Sequence, residues 1–154
     1  MTENEQREEV VREARSWLDT PYHHAARTKG VGVDCAYLLL KVYEAVGIAP
    51  PFDPGPYKPG LAMYLKGERL YRKVLSSLAQ PVNREPLPGD IQVFRIRVGN
   101  ATHNVVATHG GIVTDWPKFV HADAVQHAVS EDNALRLPAH ATLAQLWTPK
   151  AWVM

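Results

Sequence analysis

The period of the apolar residues changes once along this chain, and that change constrains its fold more than any other feature. Up to about residue 80 the apolar positions recur at helical spacing, and from Asp90 onward they alternate. Val10, Val11, Ala14, Trp17 and Leu18 make one side of a helix expected over residues 4–18, which Thr20-Pro21 stops. Leu38, Leu39, Val42 and Val46 do the same for a helix that begins near Cys35, with Asp34 as N-cap and Gly47 as C-terminal stop. Leu70, Val74, Leu75 and Leu78 predict a third helix over 67–79. Beyond Asp90, Ile91 and Val93 keep one phase, while Phe94, Ile96 and Val98 keep the other. A bulge at Val93-Phe94 reconciles them. Further strands are expected over 105–114, 119–122 and 125–130, with short apolar pieces at 143–147 and 151–153 as a fifth strand or edge. Helices first and an antiparallel meander afterwards is an α+β arrangement.

Between the second and third helices lie five prolines within residues 50–59. They make residues 49–60 a stiff, extended surface segment. Residues 81–89 read as a turn-rich connection. The 154 residues are expected to form one domain, 1–154, large enough to bury a core. A net charge of +1 gives no reason to expect nucleic acid or an anionic membrane as partner. No stretch is apolar enough to span a bilayer, and residues 1–9 are too polar for a secretory signal. The chain is therefore expected to be made in the cytoplasm. A target outside would be reached by lysis, by a signal-free route or within a particle.

The single cysteine cannot form an internal disulfide. Its place is informative. Cys35 stands in the first turn of its helix, where free N–H groups and the macrodipole favour an anion and can bring a thiol to about pKa 7 or below. A lone cysteine is more often a small buried hydrophobe, so the partners decide. His109 lies in the strand Thr108-His109-Gly110-Gly111-Ile112-Val113, and His121 in the next, Phe119-Val120-His121-Ala122. If these strands form a hairpin, the two histidines share a face only with an odd number of loop residues, for example Thr114 to Lys118. One imidazole could then take a proton from Cys35 while the other fixes its tautomer. Zinc is the competing use of these histidines, but neither HExxH nor paired-cysteine spacing is present, so no metal and no cofactor is expected. His23 and His24 read as exposed and uninvolved, and His103, His127 and His140 as surface residues. The four tryptophans read as core or hairpin packing.

Taken in order, Thr20-Pro21-Tyr22, Asp34-Cys35, Pro88-Gly89-Asp90, His109-x-Gly111-Ile112 and His121-Ala122 resemble the NlpC/p-sixty cell-wall cysteine peptidases over about residues 10–130. The segment from Gly111 to Ala122 is most similar to the branch found in phage and prophage tail gene clusters. The resemblance implies a papain-like fold with the nucleophile helix packed on an antiparallel sheet. It implies cleavage of peptidoglycan stem peptides, commonly at the D-γ-glutamyl–diamino acid bond, and a virion tail or cell-wall setting with other tail proteins as partners. By the same resemblance Cys35 is the nucleophile, His109 the base and His121 the orienting residue. Tyr22 and Asp34 are substrate-binding positions. The family's Ser-Gly after the nucleophile is here Ala36-Tyr37, which bears on specificity. Two alternatives accompany this reading: a tail assembly component that keeps the fold without activity, and a related cysteine amidase or acyltransferase.

Overall fold

A computed structural model describes residues 1–57, 71–98 and 105–153. The calls on Leu70 and on the start of the third helix, the end of the proline segment, and His103 lie outside these residues.

Helix α1 (Glu3–Arg15) starts at a capping box. The Thr2 hydroxyl accepts from the Glu5 N–H, and the Glu5 carboxylate accepts from the Thr2 N–H. Strands β1 (Arg27–Thr28) and β2 (Gly32–Val33) make a small antiparallel ladder leading into α2 (Cys35–Val46). Asp34 caps α2 through Oδ1, which accepts from the Tyr37 N–H at 2.9 Å, and Gly47 ends it at φ 80°. Eight of its twelve residues are buried, so this is the core helix rather than a surface one. Residues 71–78 form a further helix, α3, with Val74, Leu75 and Leu78 turned inward as expected.

The remaining described strands form one antiparallel sheet of β3 (Ala79–Val82), β4 (Ile91–Val98), β5 (Val105–Val113), β6 (Lys118–Asp123), β7 (Ala128–Asn133) and β8 (Ala141–Pro149), in the order β3-β8-β4-β5-β6-β7. The meander from β4 to β7 is as expected. β8 then returns to the other side of β4, and its register against β4 shifts between Val93 and Phe94, where the change of phase placed a bulge. Three expectations are corrected. The turn-rich 81–89 begins with an edge strand, β3, whose Pro81 is tolerated because only one side is paired. The strand expected over 125–130 runs over Ala128–Asn133 instead, and 151–153 falls largely in a 3₁₀ turn, Lys150–Trp152.

Alternate residues divide the sheet. Ile91, Val93, Ile112, Val120 and Ala122 join the helices in the main core, whereas Phe94 and Phe119 form a second small cluster with Ala134 on the other phase. The helices are fastened to the sheet at Pro88-Gly89-Asp90. The Asp90 carboxylate is fully buried and accepts from Arg7 Nη1 at 2.9 Å, Arg84 Nη1 at 2.6 Å and the Leu87 N–H at 2.8 Å. The Tyr43 hydroxyl of α2 donates to the Gly89 carbonyl at 2.7 Å, and Gly89 N–H and Asp90 C=O pair with Val113 of β5. Burial alone would raise the Asp90 carboxyl, but the bonds from Arg84, Leu87 and Arg7 outweigh it and hold the carboxyl below the usual range.

Asp90→Ala would take from Arg7, itself 5% exposed, its fully buried anionic partner, leaving it the Glu3 carboxylate at 2.9 Å and the Pro88 carbonyl. The expected cost is about 1.5–3 kcal/mol of stability, read as a fall in the urea midpoint. Because the folded carboxyl is depressed, the contribution of its charge is fully present above its unfolded pKa of about 3.9 and lost as pH falls through the folded value. The gap between wild type and Asp90→Asn should therefore be flat at neutral and mildly acid pH and close only below about pH 4. An unchanged urea midpoint in Asp90→Ala would contradict this account of the junction.

Candidate active site

Two groups of side chains are assembled, one at the head of α2 and one on the sheet that α2 packs against. At the helix, Cys35 is 6% exposed and its side chain is hydrogen-bonded with Tyr22. Tyr22 is held by its own backbone, its N–H donating to the His127 carbonyl at 2.8 Å, and by a bridge to Val33. Burial pushes the Cys35 thiol up to about 12, with the Asp34 carboxylate adding to the rise, while Tyr22 and the N–H groups of Cys35 and Ala36 pull the other way. The expectation of a thiolate in the resting protein is thus corrected. The helix terminus is present, but desolvation and a neighbouring carboxylate outweigh it.

The Asp34 carboxylate is fully buried and engaged inside the chain. Besides the cap to Tyr37, its Oδ2 accepts from the Ala25 N–H at 2.8 Å and from the Tyr57 hydroxyl. Tyr57, on the proline-rich segment, stacks on Tyr37 at 6.2 Å between centroids, and its carbonyl is 2.7 Å from His24 Nε2. His24 is therefore half-buried and tied to that segment, not free in the loop as expected. The departure from Ser-Gly at Ala36-Tyr37 has a visible consequence, because Tyr37 is the ring on which Tyr57 stacks. Tyr71 of α3 is buried within electrostatic reach of Cys35 and Asp34 and close against Gly110 of β5. A Cβ at Gly110 would stand 2.5 Å from its hydroxyl.

On the sheet, β5 and β6 pair as Ile112 with Val120 and Val113 with Phe119. Thr114 to Lys118 is thus the five-residue loop, and the odd count puts both histidines on one face. His121 stands diagonally across from His109, with Gly111 at the position opposite. His109 Nε2 and His121 Nδ1 are 2.8 Å apart, and the rings meet edge to face. A Cβ at Gly111 would come within 2.9 Å of the Val120 carbonyl and 3.1 Å of the His121 Cβ, and closer still to the Phe119 ring. The glycine is what admits the diagonal contact. Phe119 packs on His121 at 4.5 Å between centroids and Phe94 flanks His109 at 6.4 Å, so the pair sits in a low-dielectric wall. Burial and the neighbouring His121 lower the His109 pKa to about 3, so that ring is neutral at rest.

The pair continues into a residue that sequence reasoning passed over. His121 Nε2 is 2.6 Å from Asp132 Oδ2, and that oxygen also accepts from Ser130 Oγ at 2.7 Å and Gln126 Nε2 at 3.2 Å. Burial works against the Asp132 charge, but these donors outweigh it and hold the carboxyl below its usual range. His121 pairs with Ser130 across β6 and β7, which puts Asp132 on the same face one diagonal away. The sequence signal is a carboxylate two residues beyond His121's cross-strand partner, visible only once β7 is in its true register. His121, Asp123 and Asp132 also place one nitrogen and two oxygens within 4.8 Å of one another, a set that could hold a cation. The hydrogen bonds from His121 and Gln126 already bind these carboxylates together.

The fold is that of NlpC/P60 domains: N-terminal helices packed on a six-stranded antiparallel sheet. NlpC2 from Trichomonas vaginalis aligns with a TM-score of 0.62 at 17% identity over 93% of this chain and 47% of its own. NlpC1 from the same organism gives 0.59 at 18% identity over 92% and 44%. The NlpC/p60 domain of the peptidoglycan hydrolase SagA gives 0.54 at 16% identity over 91% of this chain and 96% of that domain. The chain thus spans less than half the length of the two Trichomonas proteins and nearly all of the SagA domain. No family model matches the sequence, and no curated protein matches it.

Gly111→Ala should force β5 and β6 apart. The expected loss of stability is about 1–3 kcal/mol, with separation of the two histidine rings. Urea unfolding and the histidine ring resonances would show both, and an unperturbed ring pair would contradict the role given to this glycine.

Proposed function

We propose that this chain is a cysteine peptidase acting on peptidoglycan stem peptides, at the D-γ-glutamyl–diamino acid bond. The observation that carries the reading is the hydrogen-bonded pair His109–His121 on β5 and β6, strands that the Cys35 helix contacts, with both rings on the face that carries Phe94 and Phe119. The shared fold, including that of a domain from a peptidoglycan hydrolase, supports the substrate class. The bond and the phage-tail setting rest on the motif resemblance alone.

His109 Nε2 is taken up by His121, so its Nδ1 is the nitrogen left to exchange a proton with Cys35. The resting pair is a neutral thiol and a neutral imidazole. Proton transfer therefore accompanies attack. Sγ bonds to the amide carbon as its proton passes to His109 Nδ1. The C–N bond then breaks, and the same proton leaves with the amine. Water gives a proton to His109 and attacks the thioester, releasing the acid and restoring the thiol. Tyr22, already bonded to the sulfur, is placed to follow the charge as it moves. Asp34 builds the loop around the nucleophile through its three internal bonds, and a role on the substrate amine would require Tyr57 to yield its place.

Purified sacculi should release stem-peptide fragments, identified by mass spectrometry. Cys35→Ala should remove this activity with the fold intact. His109→Ala should be about as damaging, because members of one catalytic unit fail together. His121→Asn or His121→Gln should keep more activity than His121→Ala. A chelator should leave turnover unchanged. Loss in chelator with recovery on zinc would mean that His121, Asp123 and Asp132 hold a working metal. Residual cleavage by Cys35→Ala would exclude the thiol as nucleophile.

The buried thiol favours a second reading, a fold kept for assembly without catalysis. Iodoacetamide separates the two. A peptidase should be alkylated at Cys35 and inactivated, faster as pH rises, and slower in His109→Ala. A thiol inert to pH 9 with intact sacculi would favour the assembly reading.

A further inference from the structure

The hydrogen-bond chain on the sheet does not end at the second histidine, and its last member determines the direction of every proton in it. We infer that Asp132 is a positioning residue that sets the tautomers of both His121 and His109, and so makes His109 Nδ1 the proton acceptor. This inference deepens the peptidase reading and rests on it for its catalytic consequence.

The argument follows from donors and acceptors. An ionised carboxylate only accepts. Asp132 Oδ2 lies 2.6 Å from His121 Nε2 and takes two further donors, Ser130 Oγ and Gln126 Nε2. His121 Nε2 must therefore carry its hydrogen. In the neutral form of the His121 ring this is its single N–H, so Nδ1 is bare and accepts. The atom 2.8 Å from it is His109 Nε2, which must then be the donor. His109 in turn has one N–H, and Nδ1 is left with the lone pair that the peptidase reading assigns to the thiol proton. Reversing any one link reverses them all: an N–H on His121 Nδ1 would require a bare His109 Nε2 and a hydrogen on His109 Nδ1, where the proton must arrive.

The anchor is built to stay put. Ser130 and Asp132 stand on the same face of β7, and Gln126 is itself fixed to Asp123 Oδ2 at 2.9 Å. His121 is 8% exposed under Phe119, and it meets the inner side of an Asp132 side chain that is 36% exposed. When His109 gains the thiol proton, the positive charge is shared toward His121 and meets the Asp132 carboxylate. The structure thus extends nucleophile, base and orienter by one anionic group on the next strand.

Asparagine tests this, because it has the shape of aspartate but can donate. In Asp132→Asn the amide can turn its NH₂ to His121 Nε2 and hold the reversed chain. A structural role would be satisfied by asparagine and harmed by alanine. A tautomer-setting role makes asparagine as harmful as alanine. With ¹⁵N-labelled full-length protein, the ring nitrogens of wild type at neutral pH should show His109 and His121 both protonated at Nε2. In Asp132→Asn, His121 should shift to the Nδ1–H form. Turnover of a stem tetrapeptide should fall on the order of 100-fold, less than the ~10⁴-fold seen when the aspartate bonds the base directly. The loss should appear in kcat with KM little changed. The rate of Cys35 alkylation should fall in parallel, with no substrate needed.

Wild-type tautomers as stated, with the shift in Asp132→Asn but no peptide cleaved by any form, would overturn the substrate reading and leave the assignment of Asp132 standing. An active wild type with Asp132→Asn equally active, or with its histidine tautomers unchanged, would overturn the assignment. If Asp132→Ala fails to fold, the isosteric Asp132→Asn decides alone.

Discussion

How the Cys35 helix lies against the histidine strand β5 depends on a buried carboxylate that touches neither Cys35 nor His109. Asp90 collects Arg7 from α1, Arg84 from the connection and the Leu87 N–H, while the adjoining Gly89 receives the Tyr43 hydroxyl of α2 and pairs with β5. One short segment thus joins the first helix, the Cys35 helix and the histidine strand. Arg7 also lies 4.1 Å from the Trp152 ring centroid, so the C-terminal turn closes over the same junction. A buried ion pair is weak evidence for net stability when compared with apolar packing. Its value here is geometric, because directional bonds from several elements meet at one point and fix how α2 lies across β5 and β6.

On that frame the site is a contest between solvation and charge. The helix terminus at Cys35 favours an anion, but burial and Asp34 keep the thiol protonated. The His109 ring is likewise kept neutral by burial and by His121. The consequence is that Cys35 and His109 are both uncharged at rest, and in the proposed reaction their charges appear only as the proton moves. Low dielectric strengthens the response of fixed groups to those charges. The Asp132 carboxylate at the far end of the imidazole chain and Tyr22 at the sulfur are the fixed groups nearest them.

Much of this was legible in the sequence because it depends on parity and local chemistry. The switch from helical to alternating period located the α+β division, and the change of phase at Val93-Phe94 located the bulge against β8. The odd loop Thr114 to Lys118 put His109 and His121 on one face, since strand side chains alternate strictly. What escaped depends on tertiary packing. β7 begins three residues later than expected because Asp123 bonds the Val125 N–H and Gln126, and His127 turns at φ 62°. Its polar residues Ser130 and Asp132 lack the apolar signature of a strand, so Asp132 was not seen to face His121. The thiol's high pKa also had to come from the fold, because no local pattern around Cys35 reports how deeply it is covered. β3 was masked by Pro81, which reads as a breaker unless the strand is known to lie on an edge.

The central claim is that Cys35 takes up the acyl group of a stem peptide. Rapid acid quenching of the enzyme with a stem tetrapeptide, followed by mass spectrometry of the peptide containing Cys35, tests it directly. The account predicts an adduct of the N-terminal acyl fragment on Cys35 early in turnover, disappearing as substrate is consumed and reduced when His109 is replaced. Fragments released with no adduct at Cys35, and at a rate unaffected by prior alkylation of the thiol, would contradict it.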